Sequence, residues 1–306
     1  MATITERIER VRQVAGEYRG VAPPAPRSVK IELTAHCDFQ CFFCASHKRP
    51  RARSEMSQPF YRRIVRELRE LGVEQLGVFY IGESFTCDWL PEAIRYAKRG
   101  CGYPYVFLTT NGLLAGAGRV RECIEAGLDS LKFSLNFSDA AQFEAATGRP
   151  GQDARKVLDN LKDARRVRDE VERETGHRCG LYASTLAYSG AQEGRMQHVL
   201  DEILPCVDEH YYLPLFGHSE FPAGKGSAMP SSKPLPCWPL FTEGHIACDG
   251  RLSACCLDHS ERFSMGDLNH LTFMEAWHGL PFQALRKSHL QGDVSGTACE
   301  KCVAYD

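Results

Sequence analysis

Short β-like segments alternate with amphipathic helical segments over two thirds of this chain, and that alternation limits its fold more than any other feature. Six segments rich in β-branched and aromatic residues are predicted to be strands, each separated from the next by a helical stretch. The predicted strands cover residues 28–34, 74–82, 105–112, 130–136, 180–188 and 209–216. Repeated strand–helix units form parallel sheets, so we predict an α/β fold, either an open sheet or a partial barrel. In such sheets functional groups gather at the carboxyl ends of the strands.

Three cysteines follow the first predicted strand directly. Cys37, Cys41 and Cys44 lie in the segment CDFQCFFC, where three residues and then two separate them. A structural zinc site requires four ligands, and the nearby candidates for a fourth are His36 and His47. Three thiolates on a four-iron cluster would instead leave one iron open to another ligand.

Cysteine content and charge indicate the compartment and exclude some partners. The chain carries 14 cysteines in 306 residues, and its charged N-terminus lacks the apolar core of a signal peptide. Clustered cysteines in such a chain indicate metal binding or redox chemistry in a reducing compartment. The formal net charge of −2 gives no electrostatic reason to expect nucleic acid or an anionic membrane as a partner, and no segment is apolar enough to span a bilayer. We therefore predict a cytoplasmic protein.

The cysteine spacing, with the aromatic Phe43 before the last cysteine and a strand before the first, resembles the radical S-adenosylmethionine (SAM) superfamily. The resemblance implies a partial (β/α)6 barrel and a [4Fe–4S] cluster held by Cys37, Cys41 and Cys44, with SAM on the open iron. It also implies that one-electron cleavage of SAM yields a 5′-deoxyadenosyl radical, which abstracts hydrogen from an unactivated C–H bond. A flavodoxin or ferredoxin is the reductant implied.

Residues that follow later strands agree with this resemblance. The segment YIGES (80–84) is similar to the GGE motif of the superfamily, with Ile81 in place of the first glycine. The resemblance implies that Glu83 accepts a hydrogen bond from the SAM ammonium group. Taken singly, each of these residues is also explained by polar capping of a strand end. The residues expected to contact SAM are Phe43, Gly82, Glu83, Asn111, Ser134 and Asn136.

A second group of cysteines occupies the last seventy residues. On spacing alone, Cys237, Cys255 and the pair Cys299-x2-Cys302 suit a zinc ribbon. The spacing from Gly250 to Cys255 and the segment 266–279 resemble instead the SPASM extension of radical SAM enzymes, in its shortened Twitch form. The resemblance implies a small domain of one β-hairpin plus a helix, with one auxiliary [4Fe–4S] cluster that relays electrons. Its four ligands would be Cys237, Cys255, Cys299 and Cys302.

The segments 245–248 and 251–255 are predicted to form that hairpin through the turn at Asp249 and Gly250, followed by one helix near 272–287. We accordingly predict three parts: an N-terminal helix and linker (1–27), the radical SAM barrel (28–232) and the auxiliary-cluster domain (233–306).

Two further cysteines accompany the second group. Cys248 is expected to be a buried bystander. Cys256 directly follows a predicted cluster ligand, and it is either a small packing residue or a thiol that returns hydrogen to a substrate radical, as in radical SAM epimerases with a similar extension. Polar residues after the sixth strand (His218, Glu220 and Lys225) are candidates for substrate contact.

Three functions remain open at this stage. We expect an epimerase that acts on a small polar substrate of the sugar, aminocyclitol or aminoglycoside type in an antibiotic pathway, with Cys256 as the hydrogen donor. The first alternative is a dehydrogenase that oxidises a carbinol to a ketone and passes an electron to the auxiliary cluster. The second is a peptide-modifying maturase.

Overall fold

Six parallel strands that follow one another in chain order form most of the sheet. The structure is a computed structural model, and it describes residues 3–44, 54–187, 191–213, 236–256 and 263–300. Each of the six strands pairs with the next one along the chain, which confirms the predicted parallel α/β sheet. They are β1 (Ser28–Ile31), β2 (Gln75–Gly77), β3 (Tyr105–Thr110), β4 (Ser130–Ser134), β5 (Gly180–Leu186) and β6 (Glu209–Leu213).

Helix α1 (Ile4–Arg12) covers the amino-terminal ends of these strands. Thr3 caps the helix in a capping box with Glu6. The Ile4 amide donates a 2.9 Å hydrogen bond to Glu209, the first residue of β6, and the Arg7 guanidinium lies 3.8 Å from the ring centroid of Tyr105, the first residue of β3. Because α1 covers the amino ends, the carboxyl ends are left for a functional site.

Helices fill the connections between the strands. The first of them, α2 (Gln58–Glu70), begins at the cap residue Ser57 and buries Tyr61, Ile64 and Leu68, while its arginines face outward. The others are α3 (Leu90–Arg95), α4 (Ala117–Ala126), α5 (Ala140–Thr147), α6 (Asp153–Thr175) and α7 (Ala191–Ile203). Helix α3 continues into one π-helical turn over Tyr96–Gly100.

The sheet curves so that β1 and β4 face a common interior. In a flat sheet these two strands would lie about 14 Å apart, at three inter-strand spacings. The charge of Lys30 on β1 nevertheless lowers the pKa of Lys132 on β4, so the two side chains approach each other. This curvature is that of the predicted partial barrel.

The C-terminal extension continues the sheet instead of forming a separate body. After the short helix α8 (Pro239–Thr242), strand β7 (Glu243–Ile246) pairs in parallel with β1. Strands β8 (Arg251–Ser253) and β9 (Ser264–Asp267) then add in antiparallel fashion. The turn between β7 and β8 contains Gly250 at a φ of 89°, a conformation that favours glycine. The predicted hairpin is therefore present, and β9 was not predicted.

Three sequence predictions of local structure were wrong. The single helix near 272–287 is two helices, α9 (Phe273–Trp277) and α10 (Leu280–Gln291), because Gly279 is the N-cap of the second and a proline occupies its first turn. Strand β2 ends at Gly77 and does not reach 82, and α5 was not predicted. The division of the chain at 232/233 stays a prediction, because residues 214–235, including His218, Glu220 and Lys225, lie outside the described residues.

Candidate active site

A pocket at the carboxyl ends of the strands brings the first three cysteines together with all the residues predicted to contact SAM. The volume of this cleft is about 190 Å³. Cys37, Cys41 and Cys44 form one wall, in the loop that follows β1. Their roles as ligands stay a prediction. The pocket is also lined by the residues predicted to contact SAM: Phe43, Gly82, Glu83, Asn111, Ser134 and Asn136.

The cysteine loop rests on helix α5. The Gln40 amide donates a 2.7 Å hydrogen bond to the carbonyl of Thr147, the last residue of that helix. The Phe39 ring packs edge-on against the ring of Phe143, with centroids 5.5 Å apart. A turn bonded from the Cys44 amide to the Cys41 carbonyl (2.9 Å) completes the loop. A helix that the sequence did not predict therefore supports the three thiols.

Cys37, Cys41 and Cys44 line the same pocket, although as placed the described residues contain no group of three or more Cys, His, Asp or Glu that could hold a metal ion. Burial and then the charge of Glu83 raise the pKa of Cys37 to about 12. Burial raises the pKa of Cys41 further above its ordinary value, and the neighbouring Cys44 and Cys37 add to the effect. Thiolates at this spacing repel one another unless a bound cationic group neutralises them. Three soft sulfur donors of this kind fit an iron–sulfur cluster with one open iron.

Glu83 is a buried carboxylate held rigidly in the pocket wall, with 3% of its surface exposed. One oxygen accepts hydrogen bonds from the Phe85 amide (3.0 Å) and the Thr110 hydroxyl (2.9 Å), and the other accepts from the Asn111 amide (2.7 Å). Burial raises the pKa of Glu83 to about 7, against the effect of these hydrogen bonds. Its oxygens retain the capacity to accept from an ammonium group.

Gly82 occupies a point of close backbone approach. A Cβ atom at this position would lie 2.0 Å from the Thr34 carbonyl oxygen and 2.9 Å from that of His36. The next amide, of Glu83, donates a 2.8 Å hydrogen bond to the same His36 carbonyl. Ile81 also lines the pocket, so the departure from the GGE motif at this position is accommodated. Only the second residue of the motif is restricted to glycine by this packing.

Two polar residues expected to contact SAM have side chains engaged within the protein. The side-chain amide group of Asn111 donates a 2.7 Å hydrogen bond to Asp38 in the cysteine loop. Its side-chain oxygen accepts a hydrogen bond from the backbone amide of Leu113. The Asn136 oxygen accepts a 3.1 Å hydrogen bond from the Leu186 amide at the end of β5. These bonds fix the shape of the pocket and restrict how each side chain meets a ligand.

Sequence reasoning missed two residues that connect the pocket to the extension. Glu32 is 1% exposed; one of its oxygens accepts from the Gly82 amide and the other from the Cys248 amide, both at 3.1 Å. Tyr80 lines the pocket, and its hydroxyl donates a 2.9 Å hydrogen bond to the Cys255 carbonyl. A glutamate at a buried strand position is a weak sequence signal for Glu32, and Tyr80 adjoins the GGE-like motif.

The predicted auxiliary-cluster ligands lie in the extension. Cys237 and Cys299 pack against the hydrophobic core, and the Cys237 amide donates a 3.2 Å hydrogen bond to the Nδ1 atom of His289. Cys302 lies outside the described residues, so the complete ligand set stays a prediction. Cys248 is buried, with its sulfur 3.4 Å from the Ser54 hydroxyl oxygen, as expected of a packing thiol.

Cys256 lies beside the barrel interior. Burial lowers the pKa of Lys30, but the charges of Glu243 and Cys256 outweigh this effect and leave it raised. The Lys30 ammonium nitrogen lies 5.8 Å from the ring centroid of Phe79, which lines the pocket. Lys30 therefore lies near both Cys256 and a residue of the pocket wall.

The curved parallel sheet and the thiol-lined pocket at its carboxyl edge define a cofactor-dependent partial barrel with an iron–sulfur site. Comparison with known families agrees: residues 31–174 match the radical SAM superfamily, and residues 237–303 match the SPASM iron–sulfur cluster-binding domain. Residues 31–174 are therefore a radical SAM domain and residues 237–303 a SPASM-type extension, as predicted. These two domains imply a SAM-binding [4Fe–4S] cluster and auxiliary cluster binding.

Solved structures share this fold at low sequence identity. BtrN in complex with AdoMet and 2-DOIA superposes with a TM-score of 0.55 at 15% identity, over 87% of both chains. The enzyme anSMEcpe with bound AdoMet and the Cp18Cys peptide gives 0.62 at 11% identity, over 86% of this chain and 83% of the other. SuiB of Streptococcus suis bound to its precursor peptide SuiA gives 0.60 at 15% identity, over 91% and 70%. At such low sequence identities, the structural similarity establishes only that these proteins share a fold.

Two curated relatives match part of the chain. The GTP 3′,8-cyclase of Chlorobaculum tepidum is 30% identical over 44% of this chain and 40% of its own length. The PqqA peptide cyclase of Streptomyces rochei is 32% identical over 40% of this chain and 34% of its own length. The chain thus spans about two fifths of the curated relatives it matches. Among the described residues, no helix is both long and apolar enough to cross a membrane.

Proposed function

We propose that this protein is a radical SAM epimerase that acts on a small polar substrate of the sugar or aminocyclitol type. When bound, the cluster and SAM supply a 5′-deoxyadenosyl radical, in the chemistry typical of the superfamily. The observation that carries the proposal is the place of Cys256 directly after Cys255, whose carbonyl accepts a 2.9 Å hydrogen bond from the pocket residue Tyr80. A thiol there can reach a substrate held over the pocket from the side of the extension.

The residues of the chain have distinct tasks in this proposal. Cys37, Cys41 and Cys44 hold the cluster, and Glu83 orients SAM through its ammonium group. Phe39 and Phe43 cover the pocket with apolar surface that excludes water. The substrate radical is quenched by Cys256: the S–H bond breaks, a C–H bond forms on the opposite face, and a thiyl radical remains. One proton from solvent and one electron from a flavodoxin or ferredoxin reductant restore the thiol.

The proposal is tested by running the reaction in deuterated water with a panel of sugars, aminocyclitols and short peptides. An S–H proton exchanges with solvent, so wild-type product should carry one deuterium at the inverted carbon. Cys256→Ser should form 5′-deoxyadenosine without epimer. The matched control is Cys248→Ser, which changes a buried thiol of the same extension and should still give deuterated epimer. A ketone product that both variants form at the wild-type rate would contradict the proposal and establish the dehydrogenase.

Peptide modification is the second candidate. The observations in its favour are a relative named PqqA peptide cyclase and neighbouring structures that hold peptides. If this function is correct, mass spectrometry of the same reactions will detect a peptide of changed mass or a cross-link, whereas the sugars and aminocyclitols will be recovered unchanged.

A further inference from the structure

Lys132 carries an amino group into the barrel interior beneath the pocket. It lies on β4, two residues before Ser134, so both side chains stand on the same face of the strand. Ser134 lines the thiol pocket, and Lys132 is therefore one layer deeper in the barrel. Its ammonium nitrogen lies 5.7 Å from the ring centroid of Tyr211 on β6.

The described interior groups leave Lys132 without a carboxylate. Lys30 has its own partner, since its nitrogen lies 2.9 Å from a Glu243 oxygen, and the same oxygen lies 2.9 Å from the Nε2 atom of His245. Lys132, in contrast, forms no salt bridge within the part of the chain that the structure describes. The carboxylate of Glu243 is therefore engaged by Lys30 and His245, and Lys132 has no described counter-charge in an interior where an uncompensated charge is costly.

The neighbours of Lys132 do not neutralise it. Burial lowers the pKa of Lys132 to about 8, and the charge of Lys30 from β1 contributes. Two tyrosines also face it: Tyr211, whose pKa burial raises to about 12, and Tyr182, which is paired with Lys132 across β4 and β5 and whose pKa burial also raises. Both phenols are uncharged at neutral pH. The pKa of Lys132 thus stays above 7, and its ammonium form predominates at neutral pH.

Lys132 retains some exposed surface. It is only partly buried, in contrast to the core residues on either side of it, Leu131 and Phe133, which are fully buried. Its strand continues upward to the pocket at Ser134. A molecule that enters the pocket and extends downward along β4 would meet this ammonium group.

We propose that Lys132 binds an anionic group of the substrate, a carboxylate or a phosphate. This inference rests on the proposed function, because it takes the barrel interior as the substrate site. It narrows the substrate class: an acidic or phosphorylated sugar would balance the interior charge, whereas an amino sugar would add a further positive charge beside two lysines. The ammonium group would orient the substrate while its other end lies under the pocket.

The test observes Lys132 by NMR. The lysines of the cluster-loaded protein are first labelled with ¹³C-methyl groups by reductive methylation. The signal of Lys132 is assigned by its loss in Lys132→Arg. Acetate and inorganic phosphate are then titrated separately, with chloride keeping the ionic strength constant. The internal control is Lys162, a surface lysine whose nitrogen lies 2.6 Å from Glu202.

An anion bound at Lys132 favours its charged form, so we expect its pKa to rise by about half a unit or more in acetate or phosphate. The Lys162 signal should not respond. The anion that acts at the lower concentration distinguishes a carboxylate from a phosphate substrate. A Lys132 signal that responds to neither anion would overturn the inference.

Two variants distinguish anion binding by Lys132 from proton transfer. Wild-type SAM cleavage tests the proposed function separately. Lys132→Arg keeps a cation and should retain at least a tenth of wild-type product formation, while Lys132→Met should lose 100-fold or more. Equal loss in both variants would assign the lysine as a base and contradict the anion site. Failure of the wild-type protein to cleave SAM would overturn the proposed function, while the NMR titration would still report on Lys132.

Discussion

The hydroxyl of Tyr80 donates a 2.9 Å hydrogen bond to the backbone carbonyl of Cys255. The two residues are 175 positions apart, and they belong to the pocket and to the predicted auxiliary-cluster site respectively. The Tyr80 ring also lies 5.3 Å from that of His245 on β7. One side chain thus connects the proposed sites of SAM and of the second cluster.

Tyr80→Phe should separate this connection from general stability. Loss of the hydroxyl should lower the free energy of unfolding by about 0.5–1.5 kcal/mol, the range for one hydrogen bond. It should also raise the ratio of 5′-deoxyadenosine to product, because the extension is held less firmly over the substrate. The control is Tyr103→Phe, which removes a similar bond to the Val65 carbonyl (2.8 Å) that involves no residue of the extension. That variant should lose stability without a change in the ratio; equal changes in both variants would contradict a specific role for Tyr80.

Gly82→Ala should abolish SAM binding. A methyl group 2.0 Å from the Thr34 carbonyl forces the GGE-like segment away from β1 and displaces Glu83. We expect at least a 30-fold rise in the Kd of SAM, measured by equilibrium binding under anaerobic conditions, or about 2 kcal/mol. Gly118→Ala is the control, because that helical position has open space and should be neutral or slightly stabilising. Unchanged SAM affinity in Gly82→Ala would show that the motif has been misread.

Glu32→Gln should destabilise the protein, because it weakens hydrogen bonds to both the pocket and the extension. The carboxylate accepts from two backbone amides, and a glutamine would turn its NH₂ group toward one of them. We expect a loss of about 1–3 kcal/mol in the free energy of unfolding by urea denaturation, as for a buried donor left without a partner. Glu122→Gln, at an exposed helical position beside Arg119, should change stability by less than about 0.5 kcal/mol. Similar losses in the free energy of unfolding for the two variants would show that Glu32 does not connect the pocket to the extension.

The buried pair of Lys30 and Glu243 should behave as a unit. Burial alone would raise the pKa of Glu243, but Lys30 and His245 lower it to about 2. A carboxyl whose folded pKa lies below its unfolded value adds stability above about pH 4.5, and that stability is lost as the pH falls toward 2. At pH 7, Lys30→Met should therefore cost about 3–5 kcal/mol, because it leaves Glu243 charged and buried. The double variant with Glu243→Leu should recover most of that loss in urea denaturation; additive losses would show that the two residues act independently.

The sequence predicted the features that depend on local pattern. The strands of the barrel follow from alternating composition, and the first three cysteines follow from a spacing whose chemistry is specific. Contacts between distant segments could not be predicted from the sequence. The partners of Glu32, for example, are backbone amides 50 and 216 residues away, and no pattern of side chains encodes them. Helix α5 was missed because its eight residues lack a clear apolar stripe, although Asp139 caps it. The early end of β2 at Gly77 was not predicted either; the segment beyond it includes Gly82, which packs against Thr34 in a contact between distant parts of the chain.

The central claim is that Cys37, Cys41 and Cys44 hold the cluster at which SAM is cleaved. The most direct measurement is 5′-deoxyadenosine formation, together with iron content, in the variant with all three cysteines changed to alanine. We predict that SAM cleavage falls below detection, while about four irons per chain remain on the auxiliary site. Formation of 5′-deoxyadenosine by that variant at the wild-type rate would contradict the account.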